Sequence, residues 1–375
     1  MKRAGNLWPD VVSWRNLLES ALAAARGKRR RPDVAQFLLH LEPNVCALQR
    51  ELEGGSYQPG GYRTFWIRDP KPRMISAASF RDRVVHHALT RVLEAVFEPR
   101  FTSRSFASRK GYGQHQALEM ARRACGRHTY VLKCDVKKYF PSLDHGILMG
   151  LLGRAVKCPR TLALAARIVD ASNPQEDAAA YFPEDTLFTP FERRRGLPIG
   201  NQTSQFFSNV YLNPLDHFVM RELQPPLYLR YVDDFVLFGN NKDDLGAMRN
   251  RIVEYLAGLR LRLHEGKSRV YRCEDGLRFL GWRLFPGRAR LPRPHVVAVR
   301  RRLRAMEIGY QAGLLGFEDV RARVQAWIGH AAFGDTWRLR QALFHSFILM
   351  PADRGRRSAR RLLEQQSTER ARLEP

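Results

Sequence analysis

Residues 228–239 have the sequence Tyr228-Leu-Arg-Tyr-Val-Asp233-Asp234-Phe-Val-Leu-Phe-Gly239. Apolar and aromatic residues run into two adjacent aspartates and out again, which predicts two buried strands joined by a two-residue turn at Asp233 and Asp234. Aspartate is also common in ordinary turns, because its short side chain tolerates positive φ. Taken alone, the stretch therefore favours a plain turn.

A second acidic strand changes that balance. Residues 131–140 read Val131-Leu-Lys-Cys-Asp135-Val136-Lys-Lys-Tyr-Phe140, an apolar strand that ends in a carboxylate. If the two strands are sheet neighbours, Asp135, Asp233 and Asp234 converge, and their mutual repulsion is tolerable mainly with a divalent cation between them. Hard oxygen ligands suit Mg²⁺ or Mn²⁺. We therefore predict a site for two such ions at these aspartates and Val136, able to activate a hydroxyl for nucleotidyl transfer.

Composition points to a polyanionic partner. The chain has 375 residues, 63 Lys and Arg against 37 Asp and Glu, a formal charge of +26 and a pI near 10.6. Such an excess of positive charge is typical of proteins that bind nucleic acid. An Arg-rich composition inherited from a GC-rich genome is the alternative. With 44% hydrophobic residues, the chain is expected to be globular.

Cysteine usage and hydropathy predict a soluble, cytoplasmic protein. The five cysteines show no paired or zinc-type spacing, which favours a reducing environment. The first residues have no apolar segment of signal-peptide length, and no run of about 18 apolar residues occurs, so no membrane contact is expected.

The first third of the chain combines helices with a cationic hairpin. Apolar spacing predicts helices within residues 11–53 and over Phe80–Phe97. Residues 62–75 predict a hairpin whose turn carries Lys71, with a proline on each side, and Arg73, and such a rigid pair of cations suits an incoming triphosphate. Ordinary surface charge is the other interpretation of these two residues.

Two glycine-containing loops are candidates for contacts with nucleic acid or nucleotide. Ser105-Phe-Ala-Ser-Arg109-Lys-Gly111-Tyr-Gly113 leads into a helix, and Arg109 is placed to hold template phosphate. The second loop, Gly196-Leu-Pro-Ile199-Gly200-Asn-Gln-Thr-Ser-Gln205, also opens a helix, and its glycines allow close approach to a base or ribose. For the second loop, a purely structural loop-to-helix junction is an equal alternative.

The later part of the chain predicts a second, more basic region. Residues 261–273 and 277–284 predict a strand pair, and basic residues become dense after Pro286 in front of further helices. We expect an α+β protein with an N-terminal helical extension (1–56), a central domain (57–285), a helical domain (286–350) and a basic tail (351–375).

From about Tyr57 to Phe285, the order of these motifs resembles the reverse transcriptases of the bacterial group II intron-like lineage. The resemblance implies a right-hand polymerase fold with fingers, palm and thumb, and it implies RNA-directed DNA synthesis. In this resemblance Asp135, Asp233 and Asp234 match the catalytic triad, and Lys71 and Arg73 match cations that bind a deoxynucleoside triphosphate. Phe140 matches the aromatic ring that excludes a 2′-hydroxyl. The matches to nucleic-acid contacts are Lys267, Gly281 and Trp282, and the basic thumb adds Arg300 and Arg301.

Most relatives in this lineage have Gln before the glycine of this loop, but this chain has Ile199. The variant Ile199-Gly200-Asn-Gln-Thr-Ser-Gln205 is similar to the loop of diversity-generating retroelement enzymes. This resemblance implies copying of a template RNA with errors at adenines, an RNA/DNA heteroduplex as the bound product, and a small basic accessory protein as partner. Ile199 removes an amide near the nascent base pair, so geometric selection is expected to loosen. A reverse transcriptase of an anti-phage defence system is the alternative, and an RNA-binding maturase is a further one.

Overall fold

The computed structural model describes residues 2–67, 72–173 and 180–350. The chain divides into two compact units: the first contains Met1–Ala117 and Thr129–Tyr271, and the second contains Leu118–His128 and the chain from Arg272 onward. The predicted domain borders at 56, 285 and 350 remain predictions, and the second compact unit begins earlier than residue 286.

The helices of the first unit are α1 (Trp8–Val12), α2 (Trp14–Ala25), α3 (Pro32–Leu39), α4 (Leu41–Glu53), α5 (Phe80–Phe97), α7 (Tyr139–Ser142), α8 (His145–Ala155), α9 (Pro159–Asp170), α10 (Thr189–Glu192), α11 (Gln202–Phe218) and α12 (Lys242–Gly258), and α6 (Gln114–Cys125) crosses the border between the units. The strands of the first unit are β1 (Arg63–Ile67), β2 (Arg73–Ala77), β3 (Tyr130–Asp135), β4 (Leu227–Tyr231), β5 (Asp234–Gly239) and β6 (Arg269–Arg272).

A four-stranded sheet in the order β4-β5-β3-β6 organises the first unit. Side chains alternate between the two faces of a strand. Leu132, Cys134, Phe235 and Leu237 belong to the main hydrophobic core. Lys133, Asp135 and Asp234 therefore point to the opposite face. Helix α12 packs on β3 and β5, while α11 packs on α5 and α8.

The hairpin β1–β2 is antiparallel, as the sequence predicted, but Arg73 pairs with Ile67 and begins β2, where the sequence had placed it in the turn. The predicted turn and Lys71 lie outside the described residues. Helix α5 has the predicted bounds, Phe80–Phe97, because Ser79 accepts a hydrogen bond from the Asp82 amide and so caps its start.

The second unit, described by itself, contains a small sheet and a helical bundle. Its strands are β7 (Leu277–Phe279), β8 (Trp282–Phe285) and β9 (Arg288–Arg290), and its helices are α13 (Arg293–Gln311), α14 (Phe317–Ala331) and α15 (Trp337–His345). The predicted pairing of 261–273 with 277–284 is wrong. Strand β7 pairs with β8 instead, because two residues are enough to join them, while β6 lies beside β3.

Across the parts of the chain that the structure describes, no helix is both long enough and apolar enough to cross a membrane.

Candidate active site

The hairpin β4–β5 carries the two adjacent aspartates, but its turn lies one residue earlier than predicted. Tyr231 faces Asp234 in the strand register, so Val232 and Asp233 form the turn and Asp234 is the first residue of β5. Val232 has φ 57°. This conformation is unfavourable for a β-branched side chain, which is why the sequence did not indicate a turn there.

The third aspartate lies directly opposite this hairpin. Asp135 pairs with Asp234 in the antiparallel register of β3 and β5, and the amide of Val136 donates to the carbonyl of Asp233 at 3.3 Å. Facing residues in such a pair have Cβ atoms about 4.5–5.5 Å apart. The structure therefore brings together Asp135, Val136, Asp233 and Asp234, four residues that the sequence placed in one site.

Lysine side chains act as counter-ions for this cluster. The Nζ atom of Lys267 lies 2.7 Å from Oδ2 of Asp135, and Nζ of Lys133 lies 3.3 Å from Oδ2 of Asp234. The backbone of Asp135 is also held, because its amide donates to the hydroxyl of Ser268 at 3.2 Å and its carbonyl accepts from the amide of His264 at 2.7 Å. The loop 264–268 thus fixes both a cation and the backbone beside the acidic cluster.

Burial makes the two hairpin carboxylates hard to ionise. It raises the pKa of Asp233 to about 6 and the pKa of Asp234 to about 7, and the neighbouring Asp135 adds to both shifts. Arg73 and Lys267 act in the opposite direction on the pKa of Asp233, and Lys133 does so on the pKa of Asp234. Arg73 is therefore close enough to the cluster to act on its charge.

The chemistry of these side chains fits a hard cation. The donors are carboxylate oxygens, and Oδ1 of Asp234 is buried without a hydrogen-bond partner in the described structure. An uncompensated buried oxygen of this kind favours a bound positive charge. The triad is not a preformed cage, since residues 2–67, 72–173 and 180–350 contain no group of three or more His, Cys, Asp or Glu arranged to hold a metal. The two lysine ammonium groups neutralise part of the acidic charge instead.

The predicted nucleotide-binding loop lies against strand β2. The amide of Ser76 donates to the carbonyl of Ile199 at 3.1 Å. Gly200 has φ 112°, and a Cβ atom there would lie 2.9 Å from Cγ2 of Ile75. Asn201, which precedes α11, donates to the carbonyl of Ser76 at 2.8 Å, so the loop is joined to the strand that begins with Arg73. This junction explains why a glycine is required at position 200.

Phe140 and Gln205 differ in burial. Phe140 is partly buried against the main core and makes an edge contact with Tyr139, with ring centroids 5.5 Å apart. Its carbonyl accepts from the amide of Leu197, which connects it to the loop that carries Ile199. Gln205 is exposed on α11 and accepts from the hydroxyl of Ser108 at 3.3 Å.

Arg109 has an internal role that differs from the predicted phosphate contact. Its side chain is 4% exposed, and its guanidinium pairs with Glu98 at 2.6 Å. It also donates to the carbonyl oxygens of Thr102 and Ser105 and stacks on the ring of Tyr112. These contacts use its donors within the protein, so Arg109 supports the loop rather than presenting a free cation to phosphate.

In the second unit, Trp282 is fully buried, against the prediction that it contacts nucleic acid. Its ring packs on Phe333, at 5.2 Å between centroids, and leaves no room for a Cβ atom at Gly334. Gly281 has φ 82° in the turn before it, so the Gly-Trp pair has a structural role. Arg300 and Arg301 are exposed on α13, as a nucleic-acid contact requires.

Three features of the site were not predicted from the sequence: Lys133, Ser268 and a buried ion pair between Arg230 and Asp216. One signal for the ion pair was present: Arg230 is a charged residue inside an otherwise apolar strand, and such residues need a buried partner.

Carboxylates gathered at the edge of an antiparallel sheet are compatible with a nucleotidyltransferase, and the family assignment agrees with that class. Residues 68–284, more than half of the chain, match the family described as reverse transcriptase (RNA-dependent DNA polymerase). The chain belongs to this family, whose activity is RNA-directed DNA synthesis.

The chain is similar in sequence to several known proteins, among them a group II intron-encoded protein. It is 28% identical to Protein YkfC of Escherichia coli over 67% of this chain and 74% of that protein. It is 26% identical to the group II intron-encoded protein LtrA of Lactococcus lactis over 57% of this chain, and the match spans only 34% of LtrA. Nuclear intron maturase 1 of Arabidopsis thaliana is 34% identical over 23% of this chain and 12% of its own length.

Proposed function

We propose that the chain copies a template RNA into cDNA by two-metal nucleotidyl transfer at Asp135, Asp233 and Asp234. The observation that carries the proposal is the strand register that sets Asp135 opposite Asp234, with Asp233 in the adjoining turn. Distant parts of the chain thereby supply three carboxylates to one sheet edge. In the right-hand arrangement proposed here, this sheet is the palm, the β1–β2 hairpin is part of the fingers and the helices after Arg293 are the thumb.

Each residue has a distinct task in this mechanism. The carboxylates of Asp135, Asp233 and Asp234, together with the backbone carbonyl of Val136, would hold Mg²⁺ or Mn²⁺. When bound there, two such ions would supply activation of the primer 3′-hydroxyl and stabilisation of the leaving pyrophosphate. Lys133 and Lys267 keep the carboxylates neutralised and oriented before binding. Partial burial of the hairpin tip strengthens each electrostatic contact there.

The triphosphate and sugar are assigned to residues around the loop 196–205. Arg73, together with Lys71, contacts the triphosphate, since Arg73 already lies near Asp233. Phe140 packs under the sugar and excludes a 2′-hydroxyl, while Ile199, Gly200 and Gln205 surround the nascent base pair. Lys267, Arg300 and Arg301 contribute to binding of the RNA/DNA heteroduplex, and the net charge of +26 supports such a partner.

A primer-extension assay tests this function. Purified protein with a primed RNA template, deoxynucleoside triphosphates and Mg²⁺ should extend the primer, and Asp233→Asn should reduce extension by about a thousandfold, as expected for a lost metal ligand. The matched control is Asp244→Asn, which removes an exposed carboxylate at the start of α12 and should retain activity. Equal extension by Asp233→Asn and the wild type would refute the assignment.

A finer proposal is error-prone copying at template adenines in a diversity-generating retroelement. It rests on Ile199, whose backbone is fixed by Ser76 and whose side chain offers no amide to the nascent base pair. Ile199→Gln should lower misincorporation at adenines several-fold, because a hydrogen-bonding side chain sharpens selection. Sequencing of cDNA made on a template of mixed composition measures this. Uniformly low error at adenines in the wild type would instead favour the defence role, and it would leave the polymerase assignment intact.

The maturase relatives support a second candidate function, RNA binding during intron splicing. The two functions separate in one comparison of the wild type with Asp233→Asn. A maturase role predicts that the variant still binds its RNA and supports splicing, whereas the polymerase role predicts that the phenotype of the variant equals that of a deletion.

A small basic accessory protein, proposed from the retroelement resemblance, would be found by co-purification.

A further inference from the structure

A buried arginine clamps the strained turn that carries Asp233. Arg230 lies on β4, two residues before Val232, and its side chain and that of Asp216 on α11 are both completely inaccessible to solvent. The Nε and Nη2 atoms of Arg230 each donate to one carboxylate oxygen of Asp216 at 2.6 Å. This bidentate contact holds the plane of the guanidinium fixed.

The remaining donors of Arg230 reach the turn and the helix α11. Nη1 donates to the carbonyl of Val232 at 3.0 Å and to Oδ1 of Asn209 at 3.2 Å, and Nη2 also donates to the hydroxyl of Ser105 at 2.9 Å. A guanidinium has five N–H donors. Every one of them therefore has an acceptor, and one acceptor is the peptide group that joins Val232 to Asp233.

That peptide group needs such support. Val232 has φ 57°, a conformation that a β-branched residue adopts only when its surroundings impose it. A turn free to relax would rotate the Val232 carbonyl and move Asp233 away from Asp135. The carbonyl of Asp233, in turn, accepts from Val136 at 3.3 Å, so the turn is held from both sides.

A buried ion pair is a poor source of stability, because apolar residues of similar volume often serve equally well. Its presence here, with one donor on the catalytic hairpin, indicates a role in geometry. We propose that Arg230, oriented by Asp216, is a positioning residue that fixes the Val232–Asp233 peptide and thereby sets the place of the Asp233 carboxylate. This inference rests on the proposed role of Asp233 in nucleotidyl transfer.

The test separates positioning from folding with an apolar replacement of the buried ion pair and of the tyrosine that contacts it. In Arg230→Met/Asp216→Leu/Tyr228→Phe, the ion pair is removed together with the hydroxyl of Tyr228, which donates to Asp216 at 2.7 Å. The matched control is Arg193→Met/Asp185→Leu, which removes another buried ion pair, with side chains 7% and 5% exposed. Single-turnover incorporation on primed RNA is measured against deoxynucleotide and Mg²⁺ concentration, alongside primer–template Kd and thermal unfolding.

The expected result is a split between rate and binding. The triple variant should remain folded and bind primer–template within threefold of the wild type, while its maximal incorporation rate falls at least tenfold and its Mg²⁺ requirement rises. The control should keep the wild-type rate within threefold. A folded triple variant with the wild-type rate and Mg²⁺ requirement would overturn the inference.

Arg230→Lys keeps the inference testable if the triple variant fails to fold. Lysine retains a buried cation beside Asp216 but lacks the planar fork that joins the carboxylate to the Val232 carbonyl. It should show the same loss of rate, and an unchanged rate in this variant would also overturn the inference. Failure of the wild type to extend any primer would instead refute the proposed polymerase function.

Discussion

Asp234 pairs with Lys133 through Oδ2 at 3.3 Å, while its other carboxylate oxygen is buried without a partner in the described structure. One lysine contact does not compensate for the burial of this carboxylate, because the pKa of Asp234 is still raised to about 7. The folded state therefore disfavours the ionised side chain that a metal site needs. Such a conflict between stability and activity is common at catalytic sites.

Asp234→Asn should stabilise the protein while abolishing its activity. An amide carries no charge to be buried, so the free energy of unfolding at pH 8 should rise by about 1 kcal/mol or more, while primer extension falls by about a thousandfold. Urea unfolding and single-turnover extension measure the two effects. Lower stability than the wild type would show that the Lys133 contact outweighs the burial of the carboxylate.

A buried histidine should make stability depend on pH. Burial lowers the pKa of His86 to about 4, against the opposing effect of Asp82, and both ring nitrogens lack a hydrogen-bond partner in the described structure. Above pH 6.5 the residue is neutral in both states and has no effect. As the pH falls from 6.5 to 4, only the unfolded state gains the proton, so the free energy of unfolding should decrease by about 3 kcal/mol.

His86→Leu should remove this contribution and flatten the stability profile between pH 6.5 and 4. Some dependence of the free energy of unfolding on pH will remain, since burial also lowers the pKa of the neighbouring His87 to about 4. The matched control is His40→Gln, because His40 is exposed and its replacement should leave the slope unchanged. Urea unfolding at pH 7.5 and 5 measures the difference. An unchanged slope in His86→Leu would contradict the assignment of the proton to His86.

Gly200 should tolerate no side chain. Its φ of 112° strains any L-residue, and a Cβ atom would lie 2.9 Å from Cγ2 of Ile75. Gly200→Ala is therefore expected to lower the free energy of unfolding by about 1–3 kcal/mol and to reduce activity by displacing β2, which begins at Arg73. Gly153→Ala is the control, since its Cβ meets nothing within 4 Å in the interior of α8, and it should stabilise by about 0.5–1 kcal/mol. Equal stability of the two variants would argue against a strained junction at Gly200.

How far the sequence predicts the site depends on whether each contact is local. The strands ending in Asp135 and beginning at Asp234 could be identified from their apolar runs. Carboxylates at the ends of two such strands suggested a shared cation site, and therefore that the two strands are neighbours. The charged Arg230 inside an apolar strand indicated a buried partner, but neither Asp216 nor Ser105, which is 125 residues away in the chain, could be identified as that partner. The turn was misplaced by one residue, because propensity argues against Val232 at positive φ.

Arg109 and Trp282 illustrate a second limit. The glycine-containing loop around Arg109 suggested a contact with nucleic acid, and the family resemblance suggested one for Trp282, which begins β8. Their burial depends on distant partners, Glu98 for the arginine and Phe333 for the tryptophan, whose positions no local pattern gives. Exposure separates a basic residue that binds phosphate from one that supports a loop, and exposure is a property of the fold.

The contrast between exposed and buried arginines predicts how RNA binding depends on salt. Each exposed cation that contacts phosphate contributes about one unit to the slope of log affinity against log salt concentration. Arg300→Ala and Arg301→Ala should each reduce that slope by about one, because both side chains are exposed on α13. Arg109→Ala should leave the slope unchanged and lower the free energy of unfolding by about 1–2 kcal/mol, since it leaves the carbonyl oxygens of Thr102 and Ser105 without their donor. RNA binding measured from 50 to 300 mM salt, together with urea unfolding, tests both expectations. A reduced slope in Arg109→Ala, with stability unchanged, would restore Arg109 as a phosphate contact.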